Sequence, residues 1–412
     1  MSEVVVMVTT SYPRFPGDSV GTFMEPIAAS VAARGHEVHV VAPWHPLVAR
    51  APEERGVRFH FYKYAPFRAL NVFGYAAALR ADVTLRGAAL VAAPLALAAG
   101  WFAALRVARR YRATVMHAHW VVPGGFTAWA AAPARPQVVS LHGSDVYVAE
   151  TFAPARRAAR LVFDRAGAIT ACSADLAQRS ISLGADPAKL EVVPYGVDTD
   201  RFRPQPEQRD SLRAQLGVAE GTLLVFSAGR LVRKKGFEHL IDAWARPRGE
   251  PAALLAIAGD GDLRDELRDR ARLAGVADRV RFLGNLSQDD VARHLAAADI
   301  VVIPSVKDDS GNVDGLPNIV LEALAAGPAV IATAAGGIGT VVEHEKTGLV
   351  VPERSAEAIA AALRRASADP ALRARLGEAA RRMVETRFGW GRTAERFEAA
   401  YRRALANTSI GR

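Results

Sequence analysis

The sequence predicts an α/β protein built from two parallel-sheet domains, and three observations carry that prediction. Short β-branched runs alternate with Ala/Leu/Arg stretches of helical period along the whole chain. The strand candidates are continuous apolar runs, the pattern of strands covered on both faces by helices. The chain has 412 residues, more than one core of ordinary size organises, so two domains of about 200 residues each are expected.

The elements follow in order. Val4–Val8, Glu37–Ala42, Thr114–His117, Gln137–Leu141, Ala168–Ala171 and Lys189–Val193 read as buried strands of a first sheet. Thr222–Ala228, Ala253–Ala258, Val280–Leu283, Ile300–Pro304, Ala329–Ala332 and Gly348–Val351 read as a second. Two such sets imply two Rossmann-like halves. Arg203, Pro204 and Pro206 break regular structure between them, which puts an N-terminal domain at 1–203 and a C-terminal domain at 204–387.

Composition narrows the class. Half of the residues are hydrophobic and 23% are charged, an ordinary globular balance. The single cysteine, Cys172, removes any intramolecular disulfide and reads as a small buried side chain. No basic residue precedes the short apolar run at Val4, so no secretory signal is expected and the protein reads as cytoplasmic.

The net charge of +9 is concentrated. Between Arg50 and Arg112, 11 basic residues face only Glu53, Glu54 and Asp82, which suggests an anionic partner such as a membrane surface or a lipid phosphate. No nucleic-acid-binding module accompanies these residues. Within the same region, Gly87 to Leu105 carries no charge and is bracketed by Arg86 and Arg106. Pro94, Gly100 and the many alanines weaken it as a membrane span. It reads as a buried or partner-facing helical hairpin, or as a membrane-surface element flanked by Arg80, Arg109, Arg110 and Arg112 with Trp101 and Phe102.

Two motifs carry chemistry. Phe226 to Gly236 reads FSAGRLVRKKG, with Arg230 and Lys235 just past a strand's carboxyl end, where parallel sheets bind ligands. At an effective dielectric near 20, a cation about 4 Å from a phosphate charge contributes on the order of 4 kcal/mol before desolvation. Two cations can therefore do for a diphosphate what a metal ion does. Arg233 and Lys234, crowded onto the same turn, equally suit a solvated basic loop. The second motif, Val306 to Gly327, places a Gly315/Pro317 turn before a helix that starts near Asn318. The free amides of its first turn make an anion site. Glu322 sits one turn in, within reach of a ribose diol, and Asp314 sits eight positions earlier.

Other patterns are weaker. His117 and His119 are two apart with no nearby carboxylate, and Asp308-Asp309 lacks a third ligand, so no metal site is assigned. AGDGDL lacks the third glycine of a dinucleotide fingerprint, and no nucleoside-triphosphate P-loop occurs.

Val306–Gly327 resembles the E-x7-E region of the family 4 glycosyltransferases, a large retaining family of GT-B fold. Further stretches resemble that family in the same order: SYPRFPGDSVGTF (Ser11–Phe23), RGHEVHVVAP (Arg34–Pro43), HAHW (His117–Trp120), LHGSDV (Leu141–Val146), VVPYGVDTDRF (Val192–Phe202), GRLVRKKG, AGDGDL, RFLGNL (Arg281–Leu286) and the turn Gly336-Gly337. The resemblance implies a GT-B architecture, two Rossmann-like parallel-sheet domains facing a central cleft, with residues 388–412 returning to the N-terminal domain. It implies a retaining hexosyltransferase that works without a metal or other cofactor on a nucleotide-sugar donor, UDP- or GDP-hexose.

The same resemblance assigns roles. Arg230 and Lys235 hold the donor diphosphate, and Glu322 bonds the ribose. Asp314 meets hydroxyls of the transferred sugar, helped by the backbone from Leu316 through Pro317 and Asn318 to Ile319. His142 lies beside the sugar, Gly21 lets the amino-terminal loop approach the diphosphate, and Leu283, within Phe282–Gly284, lies near the base. One departure stands out. The family usually has Glu where this chain has Asp314, one methylene shorter, which leaves sugar positioning open.

The acceptor is read as a glycan or lipid-linked sugar, with peripheral contact to the anionic inner face of a membrane through 50–112. Two alternatives stay open: a related sugar-nucleotide epimerase or phosphorylase, and a non-catalytic sugar-nucleotide sensor or subunit.

Overall fold

The computed structural model describes residues 2–18, 20–71, 79–80, 84–85, 87–246 and 252–410. Arg86 and the stretches 72–78 and 81–83 of the basic segment lie outside the described residues. The chain forms two compact units, Met1–Tyr195 with Trp390–Arg412, and Gly196–Gly389. The boundary thus falls eight residues before the 203/204 division read from the prolines.

The first unit contains β1 (Val4–Val8), β2 (Glu37–Pro43), β3 (Glu53–Glu54), β4 (Val57–Tyr62), β5 (Leu79–Arg80), β6 (Thr84–Leu85), β7 (Val115–His119), β8 (Gln137–Leu141), β9 (Ala168–Ala171) and β10 (Leu190–Val192). Eight of these form one sheet in the order β10-β9-β8-β7-β1-β2-β4-β3, parallel except for β3, while β5 and β6 pair as a separate ribbon. Its central strands are buried at every position but Val4, as continuous apolar runs require.

The C-terminal helix Trp390–Ile410 is part of this unit. Glu398 on it accepts from Arg34 at 2.7 Å and pairs with His36 at 3.1 Å, and Asn407 bonds the Gly167 carbonyl. A Cβ on Gly167 would lie 2.7 Å from the Ala404 Cα, so glycine lets helix and strand pack backbone to backbone.

The stretch read as a hairpin is instead one continuous helix, Gly87–Arg110. Pro94 lies on an exposed face of it, and Gly100 is there for space, because a Cβ would meet the Tyr62 hydroxyl at 2.8 Å. Among the described residues no helix is long and apolar enough to cross a membrane.

The second unit contains β11 (Leu223–Ala228), β12 (Ala253–Ala258), β13 (Val280–Gly284), β14 (Ile300–Ile303), β15 (Ala329–Thr333) and β16 (Leu349–Val351). They form one parallel sheet in the order β13-β12-β11-β14-β15-β16. The order reverses beside β11, which creates the switch point where such sheets open to ligands. Trp244, Phe237 and Leu240 pack with Leu255, Ile257 and Ile300 beneath it. Each large apolar side chain buried this way contributes roughly 1.5–3 kcal/mol. Chain entry and exit are tied together, because the Val197 amide donates to the Phe388 carbonyl at 2.8 Å.

Candidate functional site

In the second unit β11 delivers the chain to the carboxyl edge of the sheet, where Gly229 and Arg230 lead into a single 3-10 turn, Arg233–Lys235. Gly236 closes that turn at φ +64°. A Cβ there would sit 2.1 Å from the Pro304 carbonyl, so only glycine lets the turn pass under the end of β14. The turn sorts its cations. Arg233 points outward and pairs bidentately with Glu266 at 2.8 and 2.6 Å. Lys234 points inward and is buried.

The inward cations meet Asp314. Lys234 Nζ is 3.0 Å from one carboxylate oxygen and Lys235 Nζ is 2.6 Å from the other. Burial works to raise the Asp314 pKa, but the two ammonium groups overcome it and hold the carboxyl well below the usual range. The loop is clamped from behind, since a Cβ on Gly336 would strike the Asp314 carbonyl at 2.1 Å. Lys234 was not singled out from the sequence. In a run of three cations, which one turns inward depends on tertiary packing.

After this loop Pro317, which as N-cap residue makes no side-chain bond, leads into the helix Asn318–Ala326. Leu316, Pro317 and Ile319 are buried and Asn318 is partly exposed. Glu322 lies one turn along. Burial pushes its carboxyl up to about 7, against the pull of Arg201 and Lys235. Arg230 is exposed at the same edge. Leu283 sits where the β12–β13 register slips: Ile257 faces Phe282 and Ala258 faces Gly284, which leaves Leu283 as the extra, partly exposed residue. The second unit therefore brings Arg230, Lys235, Asp314 and Glu322 to one edge, with Lys234 added.

The remaining two assignments, Gly21 and His142, belong to the first unit. Gly21 has φ +64° and packs on Ser11 just before the helix Met24–Ala33. Two residues on, the Phe23 ring stacks on Tyr195 and lies 4.8 Å from the His142 ring. His142 Nε2 is 3.0 Å from His119 Nδ1, and His142 Nδ1 is 2.7 Å from the Tyr195 hydroxyl. Behind them His117 bridges Tyr401 at 2.8 Å and Ser140 at 2.7 Å. Burial pushes His117 and His142 down to about 3, so both rings are neutral at ordinary pH. With both nitrogens engaged, His142 is a fixed neutral ring rather than a proton carrier.

Asp145 completes this edge. Its buried carboxylate accepts the Val121 amide at 2.8 Å, the Gly143 amide at 3.0 Å and the His142 amide at 3.2 Å. Burial raises its pKa, and these donors oppose the rise.

Two doubly wound parallel-sheet units, one with a cation cluster at its carboxyl edge, define a protein of the GT-B class. Solved structures share the fold. Sucrose-phosphate synthase from Thermosynechococcus elongatus, 21% identical, superposes with a TM-score of 0.78 over 98% of this chain and 99% of its own. Anabaena Alr3699/HepE in complex with UDP and glucose, also 21% identical, gives 0.75 over 96% and 98%.

Sequence comparison carries the assignment further. The model of Glycosyltransferase Family 4 matches residues 20–201 and that of Glycosyl transferases group 1 matches 208–383. A GDP-mannose-dependent alpha-(1-6)-phosphatidylinositol monomannoside mannosyltransferase from Mycolicibacterium smegmatis is 35% identical over 262 residues, 63% of this chain and 68% of the relative. The enzyme of that name from Mycobacterium tuberculosis is 38% identical over 239 residues, 57% and 62% of the two chains. A D-inositol 3-phosphate glycosyltransferase from Kineococcus radiotolerans is 36% identical over 247 residues, 56% and 55%. The chain belongs to the family 4 glycosyltransferases. Its match spans less than two thirds of the Mycobacterium tuberculosis and Kineococcus relatives.

Proposed function

We propose that this protein transfers a hexose from a nucleoside-diphosphate sugar to an acceptor hydroxyl, with retention of configuration and without a metal ion. The observation that carries the reading is the cluster at the second unit's carboxyl edge: Lys234 and Lys235 on Asp314, with Arg230 and the amino end of the helix Asn318–Ala326 on the same edge. As the bond from the sugar's anomeric carbon to the diphosphate oxygen breaks, negative charge grows on that oxygen. Fixed cations and helix amides favour that charge, because they need no reorganisation when it appears. The acceptor oxygen bonds to the anomeric carbon on the face the phosphate leaves, and the acceptor's proton passes to the departing phosphate. Glu322 is assigned to the ribose, Asp314 to the sugar hydroxyls and Leu283 to the base region.

The relatives guide the choice of substrates. Two of those compared are GDP-mannose-dependent by name, which favours a GDP-hexose over a UDP-hexose as donor. Their acceptors are inositol derivatives, which supports a lipid-linked or polyol-phosphate acceptor here. The basic segment 50–112 suits work at the anionic cytoplasmic face of a membrane. Cosedimentation with vesicles containing phosphatidylserine at low salt is expected, and no binding removes that part of the proposal.

The deciding experiment is a thermal-shift and nucleotide-release screen against GDP-, UDP- and ADP-hexoses, with and without EDTA. Stabilisation by one base class that persists in EDTA, with slow release of the nucleoside diphosphate, supports a metal-independent transferase. No response, or a response that requires a divalent metal, overturns it. Binding without release points instead to a non-catalytic sugar-nucleotide subunit, the reading that Asp314 in place of the family's Glu favours.

A further inference from the structure

We propose that Lys234 is a positioning residue of the donor site: it holds the Asp314 carboxylate so that Lys235 can hand its charge to the diphosphate of a nucleoside-diphosphate ligand. The inference rests on the functional reading above, which counts Lys234 in the cation cluster but gives it no role of its own.

The geometry gives the two lysines different standing. They come from adjacent positions of one 3-10 turn and take one carboxylate oxygen each. The Lys234 side chain is 7% exposed and that of Lys235 is 15% exposed. Lys234 is thus the fixed member, and Lys235 the member a ligand can reach. With a single lysine, the pair would be neutral, and a diphosphate would have to pull that lysine from a buried carboxylate. A buried carboxylate stripped of its partner is strongly unfavourable. With two lysines the trio keeps one net positive charge. When Lys235 swings to phosphate, Asp314 keeps Lys234 and stays ionised and oriented.

The arrangement also answers the shortened acid. An aspartate reaches one methylene less than a glutamate, so its orientation depends more on a partner that fixes it. The buried ammonium of Lys234 supplies that partner from the neighbouring loop.

The test measures GDP and UDP affinity by titration calorimetry in the full chain, with no turnover needed. Asp314→Asn, which releases Lys235, is expected to bind the nucleoside diphosphate at least as tightly as the wild type. Lys234→Met is expected to bind about tenfold more weakly, because Lys235 is now the only partner of Asp314. The double variant Lys234→Met/Asp314→Asn should return to within about threefold of Asp314→Asn alone, the signature of a coupled pair. Lys234→Arg, which keeps the charge, should recover most of the loss. The double variant leaves no buried carboxylate short of a partner and keeps the test alive should Lys234→Met fold poorly.

Equal losses from Lys234→Met with and without Asp314 would make Lys234 one more phosphate cation and overturn the inference alone. So would an unchanged affinity. A wild type that binds neither nucleotide takes down the functional reading as well.

Discussion

Each unit carries a helix that follows a parallel strand and begins at the carboxyl edge of its sheet without a side-chain bond from its N-cap residue, and the groups around the two helix ends are in opposite charge states. In the first unit, the helix Ser144–Thr151 follows β8, and Asp145 in its first turn already accepts three backbone amides. Around it, His142 has both ring nitrogens bonded and is neutral. In the second unit, the groups near the start of the helix Asn318–Ala326 are charged: Lys234 and Lys235 share the Asp314 carboxylate, with Glu322 one turn along. The saturated edge is a scaffold. The charged edge has two lysines on one carboxylate, and an anion is what such an edge would take.

The largest effect expected from that contrast is on the charged edge. Arg230→Ala should cost about 2–4 kcal/mol of transition-state stabilisation, roughly 30- to 1000-fold in kcat/KM. A defect under tenfold in a donor-hydrolysis or transfer assay would mean that the exposed cation at the end of β11 is not part of the chemistry.

The second effect tests whether backbone geometry creates the cluster. Gly236→Ala combines a left-handed φ with a Cβ 2.1 Å from the Pro304 carbonyl. Urea unfolding should show a loss of about 3 kcal/mol. Hydrogen exchange should rise at 233–237 and 304–306 while the first unit keeps its protection. Protection lost uniformly in both units would show that the edge is not locally built.

Much of this was legible in the sequence, for physical reasons. Strands buried on both faces must be apolar along their whole length, so twelve strand positions could be read directly. β4, VRFHFY, escaped because it lies near the sheet edge and is only partly buried, so its polar residues hide the pattern. The helix Gly87–Arg110 was expected to break at Pro94 and Gly100. A proline on an exposed helix face and a glycine that makes room for Tyr62 leave the same letters as a turn. In the site, Arg230, Lys235, Asp314 and Glu322 follow from spacing, since the strand end and the helix start fix where they emerge. Lys234 did not, because neighbours on one turn point in directions only packing decides. The hydrogen bonds of His142 were equally hidden, because they join residues 119, 142 and 195.

A third, smaller effect is pH dependence of opposite sign in the two units. Glu322 has a folded pKa near 7, above its unfolded value of 4.5. The folded state therefore binds the proton more tightly, and stability falls as pH rises from about 4.5 through 7. His117 and His142 have folded values near 3, below the unfolded 6.5. Stability in their unit falls as pH drops below about 6.5. Hydrogen exchange from pH 5 to 8 should show the second unit losing protection free energy relative to a Glu322→Gln variant as pH rises. Parallel curves for wild type and variant would show that Glu322 is not held out of water.

The smallest effect concerns the saturated edge, and it decides which way its protons point. His119 Nε2 is buried and meets no hydrogen-bond partner among the described residues. A bare ring acceptor costs less than a bare N–H, so His119 carries its proton on Nδ1 and donates it to His142 Nε2. His142 must then carry its own proton on Nδ1 and donate it to the Tyr195 oxygen. Tyr195→Phe removes that acceptor and leaves a buried N–H unpaired, a loss of about 1 kcal/mol in urea unfolding. Nitrogen NMR of the His142 ring should show the Nδ1–H form in the wild type and a shift toward Nε2–H in the variant. If the wild type already carries Nε2–H, the chain runs the other way, Tyr195 donates into it, and His119 must hold an unpaired N–H. The first unit's edge would then store strain, and the contrast with the second would narrow to one of charge alone.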